Sequence, residues 1–523
     1  MDMQDKYDVI IIGSGIGGLT TAVLLTKIYK KKVLLLEQHF KVGGQTHEFM
    51  RVKNGKKFHW DVGVHYIGEM EKGLKFRKIY DFITDNKLKW KKMPYHFENF
   101  VYPDFNFRQP SDPKEFKKDL IKMFPAEKNG IEQYFLDLRK ATKWFQKDMP
   151  IKILPSFIGY FVKFFNNKNS KLALSTTKNY LDNNFKDIKL KALLTSTWGD
   201  YGLPPEQSAF VMHALVIRSY LYGGYYPVGG ASSFADTMVP IIEKGGGKIL
   251  LNRNVENIII KNNKAVGVKV KKGEKQEEYF AGHIVSNAGA YNTYFNLIDK
   301  KVNIPFRDEI KNATNGLSAN TLYLGLKESP EKLGVKGENC WIFTSYDHDI
   351  TFNKSKTTKE IHSAFVSFPS MKNPEAKTHT AELISFSHFE NLKNWKDTKW
   401  MKRGDSYKDF KEEYSKQLLE FVEKAIPGLS KLIEYSELST PLTMEYFTKW
   451  ESGNFYGIPV TPERYKYKWI SPKTPIKNLY LTGSDAATLG VSGAMMGGVL
   501  TTALMIGGMS MIKIMKEVDN YSK

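Results

Sequence analysis

Tyr7 to Glu37, YDVIIIGSGIGGLTTAVLLTKIYKKKVLLLE, is the stretch whose reading decides the fold. Residues 7–12 are a short apolar, β-branched run that predicts a buried strand. Gly13, Gly15 and Gly18 follow in G-x-G-x-x-G spacing, an apolar-periodic helix runs to about Tyr29, and residues 32–36 predict a second strand. The glycines have distinct tasks: Gly13 permits the tight turn, Gly15 lets the backbone approach a pyrophosphate, and Gly18 lets the helix pack on the sheet. The helix N-terminus offers free N–H groups and a partial positive charge to the phosphates. Glu37, with Gln38 beside it, ends the second strand, where a carboxylate accepts hydrogen bonds from a ribose 2′-OH and repels a 2′-phosphate. Together these features predict a dinucleotide site. Gly43 and Gly44, inside EQHFKVGGQTHEF, continue the close backbone approach and suit FAD better than NAD.

Working outward, the nucleotide-binding signals recur in three separated blocks. Residues 245–289 alternate as short strands broken at Asn262-Asn263 and Lys272-Gly273. In NLYLTGSDAATLGVSGAMMGG (Asn478 to Gly498), residues 478–482 predict a buried strand, Gly483 its turn, and Asp485 a polar group at the strand's C-terminal edge, where ligands sit. At 523 residues the chain is long for one core. The expected fold is α/β: a discontinuous Rossmann-type FAD-binding domain from residues 1–75, 225–300 and 475–523, with an α+β substrate-binding, membrane-facing domain from residues 76–224 and 301–474. Helical patterns lie around residues 113–123, 130–145 and 407–425, and order is expected to end near Met515.

Composition narrows the function. With 41% hydrophobic and 25% charged residues the chain reads as an ordinary soluble globular protein. Cys340 is its single cysteine, which excludes an intrachain disulfide and a cysteine-based metal site and fits a reducing compartment. The opening MDMQDKYDV lacks the regions of a signal peptide, so a cytoplasmic location is expected. Neither H-E-x-x-H nor an EF-hand loop nor G-x-S-x-G occurs, so no metal site and no serine hydrolase is expected. The formal charge is +21, yet the lysines are scattered and no nucleic-acid module is visible, so nucleic acid is not an expected partner. An anionic membrane surface is preferred, with plainly solvated lysine faces as the alternative. Residues 150–168, PIKILPSFIGYFVKFFNNK, place Leu154, Phe157, Ile158, Phe161, Phe164 and Phe165 at helical spacing among lysines, as an interfacial helix or a buried core helix would. Residues 486–512 are uncharged and long enough to span a bilayer, but their six glycines point to close packing against a cofactor and the sheet.

The motifs VGGQTHEF (Val42 to Phe49), DVGVHYIG (Asp61 to Gly68), YPVGGAS (Tyr226 to Ser232), SNAG (Ser286 to Gly289), PLTMEYF (Pro441 to Phe447) and the last glycine-rich block occur in one order along the chain. Over nearly its full length the chain resembles the FAD-dependent retinol saturase group of the carotenoid desaturase and isomerase superfamily, with a flavin amine oxidase-like architecture. The resemblance implies that Gly13, Gly15, Gly18, Glu37, Gln38, Gly43 and Gly44 hold the ADP half and pyrophosphate of FAD. It implies that Val255 meets the adenine, that Gly483 and Asp485 hold the ribityl and phosphate region, and that Gly493, Ala494 and Met495 pass the isoalloxazine. Gln45 and Thr46 stand where the saturase pattern has paired cysteines, so retinol itself is not implied.

The chemistry expected of such a chain is hydride transfer from reduced flavin to a carbon–carbon double bond in a hydrophobic polyene, with a proton delivered to the other carbon. His65, Tyr66 and Tyr226 are the candidate proton donors, since imidazole and phenol both donate and the motif places them near the flavin. The same side chains could equally shape a tunnel without exchanging protons, and Tyr225, His47 and Glu69 are weaker candidates. NAD(P)H or another reductant is the expected electron donor. A desaturase, a non-redox polyene isomerase and a non-catalytic flavin or lipid binder stay open, while a soluble amine is disfavoured by the basic, apolar entrance.

Overall fold

The computed structural model describes residues 7–154, 159, 166–313, 316–357 and 360–521. Among them seven strands form the nucleotide sheet. At its centre lies Tyr7–Ile12, parallel to Val33–Leu36 on one side and to the C-terminal half of Lys275–Ser286 on the other. Lys248–Leu250 extends the parallel part beyond Val33–Leu36, and Leu479–Leu481 pairs parallel with Lys275–Ser286. The N-terminal half of that same long strand pairs antiparallel with Lys264–Lys272, which pairs with Asn254–Lys261. Asn262 and Asn263, both with positive φ, make the two-residue turn between the last two strands, a conformation asparagine tolerates.

The sheet is buried on both faces, which is why its central strands read as continuous apolar runs. Val9 and Ile11 face one core with helix Ile16–Tyr29, while Ile10 and Ile12 face another with Leu34 and Leu36. The small-residue stretch near the end of the chain is helix Val491–Ile506, packed on the first helix. A Cβ on Gly498 would come within 2.7 Å of Gly17 O. Among the described residues no helix is long and apolar enough to cross a membrane.

A second seven-stranded sheet orders Ile433–Ser439, Ser318–Leu326, His379–Ser387, Ser363–Ser367, Asn339–Phe343, His96–Val101 and Asn106–Pro110. The pairing is antiparallel except between Asn339–Phe343 and His96–Val101. Hairpin Glu48–Lys53/Lys56–Asp61 reaches from the nucleotide region onto this sheet, where Trp60 Nε1 donates to Leu324 O at 3.0 Å and Phe58 covers Gly325.

Helices Pro113–Met123, Lys128–Ile151 and Asp405–Glu423 occupy the expected helical segments. The expectation that order ends near Met515 is corrected: helix Ser510–Tyr521 continues past it. Its i, i+4 pair Ile514 and Val518 is fully buried, Tyr521 sets its edge against Phe82, and Lys27 lies over both rings. The amphipathic spacing of Ile514 and Val518 supplies the docking face that keeps the helix ordered. The interfacial stretch expected at residues 150–168 lies largely outside the described residues: Leu154 and Lys168 are described, but Phe157, Ile158, Phe161, Phe164 and Phe165 are not.

Candidate functional site

The three glycine-bearing blocks meet at the C-terminal edge of the nucleotide sheet, largely backbone to backbone, with the Asn287 side chain between them. Gly13 takes φ +92° immediately after the first strand and donates its N–H to Leu36 O at 2.8 Å. A Cβ on Gly18 would sit 2.2 Å from Gly13 O, one on Gly17 2.5 Å from Gly483 Cα, and one on Gly44 2.9 Å from Gly15 Cα. Asn287, from the middle block, fills the remaining space: its Nδ2 is where a Gly15 Cβ would come within 2.8 Å, and its Oδ1 lies as close to Gly17 and Gly483. Backbones this close leave a groove open beside the first helix's N-terminus, where phosphate oxygens meet N–H groups.

Glu37 closes the groove. Its carboxylate is buried at 6% exposure, Oε2 accepts from Ser14 N at 2.8 Å and Ser14 Oγ at 2.6 Å, and Oε1 accepts from His39 N at 2.8 Å. Ser14 Oγ also accepts from Gly43 N at 3.0 Å, so the acid, the phosphate turn and the second glycine pair form one unit. Gln38 donates to Phe447 O at 2.8 Å. A cavity of about 1270 Å³ opens here, lined by Gly13, Gly15, Glu37, Gln38, Gly44 and Val255 and also by Phe49, Tyr323, Leu438 and Met444.

The remaining expected cofactor positions lie behind this wall. Gly18 and Gly43 shape backbone turns, and Gly483 is pressed against Asn287, while its neighbour Ser484 faces the cavity. Asp485 is buried with Oδ2 accepting from Ala290 N at 2.8 Å and Oδ1 from Ile458 N at 3.3 Å, so it ties the middle and last blocks together. Gly493 lies at the start of helix Val491–Ile506, where a Cβ would come 2.4 Å from Thr488 O, Ala494 N donates to Gly490 O at 2.8 Å, and Met495 is fully buried in the core under the first helix.

His65, Tyr66 and Tyr226 do not line the cavity. They enter a cluster of ionisable side chains between the Glu48–Asp61 hairpin and the second sheet. Tyr226 Oη donates to Asp61 Oδ2, and Ala231 N donates to Asp61 Oδ1 at 2.9 Å. Asp61 N donates to Glu382 Oε1 at 3.1 Å, and Glu382 Oε2 lies 2.9 Å from His65 Nδ1. Lys372 Nζ donates to His65 O, Asn339 Oδ1 and Ser367 Oγ at 2.9, 2.6 and 2.7 Å. Asn339 Nδ2 and Trp341 Nε1 donate to the two oxygens of Glu98 at 3.1 and 3.0 Å. Tyr66 Oη donates to Asp200 Oδ2 at 2.6 Å, and its ring stacks on Tyr220. Glu48 joins the cluster to the cavity wall.

Five carboxyl groups here face one ammonium and one imidazole, and Asp61, Glu98, Glu382 and Lys372 are buried. Burial penalises an uncompensated charge, so Asp61, Glu98, Asp200 and Glu48 are all shifted toward the protonated form. Burial, then the Asp200 charge, pushes Glu98 up to about 8. Burial pushes Asp200 and Glu48 up to about 7 each. Asp61 is raised well above the carboxylate range by burial and by the charges of Glu382 and Glu48. Lys372 is lowered to about 8 by burial, against the pull of the surrounding carboxylates.

Residues 11–83 match a family profile described as an NAD(P)-binding Rossmann-like domain. The chain is 32% identical over 556 residues to an all-trans-retinol 13,14-reductase of Danio rerio, covering 100% of this chain and 90% of that protein. It belongs to the all-trans-retinol 13,14-reductase family. A chloroplastic prolycopene isomerase 2 of an Oncidium hybrid cultivar is 26% identical, covering 93% of this chain and 81% of the relative. The fold is also that of a redesigned putrescine oxidase, with a TM-score of 0.65 at 15% identity over 96% of this chain and 99% of the other. The chain is therefore an oxidoreductase on a Rossmann-type scaffold, and FAD is the cofactor the fold implies. The groove bordered by glycine backbones, the buried acid at the second strand's end and the open helix N-terminus fit that group.

In this member of the retinol reductase family, reading the sequence missed Asn287, Asp200, Glu98, Glu382 and Lys372. Asn287 carried a signal inside SNAG. The other four had none, because each stands in an unremarkable local context and reaches its place in the cluster through a partner more than a hundred residues away, Tyr66 for Asp200, Asn339 for Glu98, and His65 for both Glu382 and Lys372.

Proposed function

We propose that the chain is an FAD-dependent reductase that saturates a carbon–carbon double bond of a hydrophobic polyene, whether a retinoid, a carotenoid or another unsaturated lipid. The cavity of about 1270 Å³ carries this reading: it joins the nucleotide groove to the apolar wall of Phe49, Tyr323 and Met444. Single-ligand pockets run about 300–1,000 Å³, so this one has room for a dinucleotide and a second, apolar ligand. Two relatives are named for polyenes, retinol and prolycopene. A polyene has almost no polar handle, and buried apolar surface, about 25 cal/mol per Å², supplies its binding.

FAD, when bound and reduced, would supply the hydride for one carbon of the double bond. Glu37, Gln38 and Val255 would hold the ADP half, and Gly13, Gly15 and Gly44 would admit the pyrophosphate. Gly18, Gly43, Gly483, Asp485, Gly493, Ala494 and Met495 act from behind the wall by fixing the backbones that border the groove. The proton for the second carbon is held in the carboxyl cluster, where Tyr66 bonds Asp200, Tyr226 bonds Asp61 and His65 lies on Glu382, and it reaches the cavity on the side of Glu48, the member of the cluster that lines the cavity wall. NAD(P)H or another reductant would be the electron donor. The prolycopene isomerase relative supports a second reading, a non-redox isomerisation with the same groups.

Anaerobic incubation of the reduced protein with retinol and with carotenoids separates these readings. A product heavier by one H₂ is expected. A lighter product means desaturation, an isomer of equal mass means isomerisation, and a yellow protein that alters none of these lipids refutes the proposal.

A further inference from the structure

Residues Lys399 to Lys402 form a tight turn in which Lys402 N donates to Lys399 O at 2.9 Å and the two lysines pair as an isolated antiparallel bridge. Trp400 and Met401 make its tip. Met401 is 80% exposed and holds φ +64°, a left-handed conformation that strains a non-glycine backbone. In water that display gains nothing. Trp400 stacks on Tyr446 at 4.7 Å and meets Phe447 edge-on at 5.4 Å; His39 connects Phe447 to Phe40, itself 66% exposed. Phe40, Met50, Trp400 and Met401 all line the rim of the cavity. The surroundings are cationic: residues 393–411 carry seven Lys or Arg against three Asp, and Lys449 Nζ sits 4.7 Å over the Tyr446 ring.

An exposed aromatic–methionine ridge ringed by lysines matches the chemistry of a bilayer interface, where aromatics and methionine enter the acyl boundary and ammonium groups meet anionic headgroups. We propose that the Trp400–Met401 turn, with Phe40 and Met50 beside it, docks the protein on an anionic lipid surface so that the cavity opens into the acyl layer. The proposal rests on the reading that the cavity takes a lipid-soluble substrate, which must leave a membrane to reach it.

Flotation of the purified full chain with phosphatidylcholine vesicles, with and without phosphatidylglycerol, tests this. The chain is expected to float with the anionic vesicles. Met401→Asp should weaken that partition about tenfold, and Met401→Gly, which relaxes the backbone and adds no charge, about threefold. Met509→Asp, at an exposed methionine away from the cavity, should leave it unchanged. No binding to anionic vesicles, a Met401→Gly variant that binds as well as the parent, or a parent dimer that Met401→Asp dissociates would each overturn the docking proposal. The visible absorbance of the same sample separates the two readings. A colourless chain that still floats through Met401 sinks the flavin reductase and keeps the docking, and a yellow chain that stays in solution does the reverse.

Discussion

The nucleotide groove and the carboxyl cluster flank the same hairpin, yet they are built on opposite principles. In the groove, contact is made by leaving side chains out: Gly17, Gly18, Gly44 and Gly483 bring backbones together until one carbon more would not fit. In the cluster, contact is made by side chains whose charges outnumber their counter-charges, and protons make up the difference. The first region therefore fails when an atom is added, the second when a charge is left unbalanced.

The sharpest way to break the comparison is Lys372→Met. It removes the ammonium that faces Glu98, Glu382, Asp61 and Asp200. Losing one partner of a buried ionic network costs about 3–5 kcal/mol, which urea denaturation reads directly. A loss below about 1 kcal/mol would mean that the acids are already neutral without it. Next comes Gly18→Ala, whose Cβ would meet Gly13 O at 2.2 Å. Overpacking against backbone costs about 1–3 kcal/mol, and here it also closes the phosphate turn, so bound flavin absorbance should fall with stability. An alanine variant that stays fully yellow would show that the turn has slack.

How much of this could be read in advance follows the same division. The groove was legible, because Gly13, Gly15, Gly18 and Glu37 report on a unit only thirty-one residues long whose geometry is local. The antiparallel strands around Asn262-Asn263 were legible for the same reason: a turn is a neighbour effect. In the cluster, Glu98 meets Asn339 and Lys372 meets His65 across hundreds of residues, and neither periodicity nor spacing records such pairings. His65, Tyr66 and Tyr226 were singled out by their motifs, but which acids their side chains reach came only with the fold. The Trp400–Met401 turn escaped notice because apolar residues at a tip carry no period.

Titration sharpens the contrast from the cluster's side. Glu98 holds its proton to about 8 in the folded chain, against 4.5 for the ordinary side chain. Between those values the folded state carries a proton that the unfolded state has released, so its contribution to stability is full below the lower value and is lost as pH rises through about 8. The slope is about 1.4 kcal/mol per pH unit per such group. Lys372, lowered from 10.5 to about 8, acts oppositely above that point and lets stability recover. Urea midpoints should therefore fall from about pH 5 to about pH 8, and Glu98→Gln should flatten the decline; a level profile in the parent would remove the proton-holding cluster. No such slope is expected from the groove's glycines.

The smallest stability change belongs to Asp200→Asn, and it separates a packing role from a proton role. Asp200 Oδ2 accepts the Tyr66 hydroxyl, and an asparagine oxygen can do the same, so the loss should stay within about 1 kcal/mol. What asparagine cannot do is gain or release a proton. With burial holding Asp200 near 7, kcat/KM for polyene reduction should decline in the parent as pH rises through that value, because the protonated acid is used up. In the variant that limb should vanish, with KM for the lipid little changed. If the limb near 7 persists in Asp200→Asn, the titrating acid lies elsewhere, and Glu48, raised to the same value at the cavity wall, becomes the group to replace.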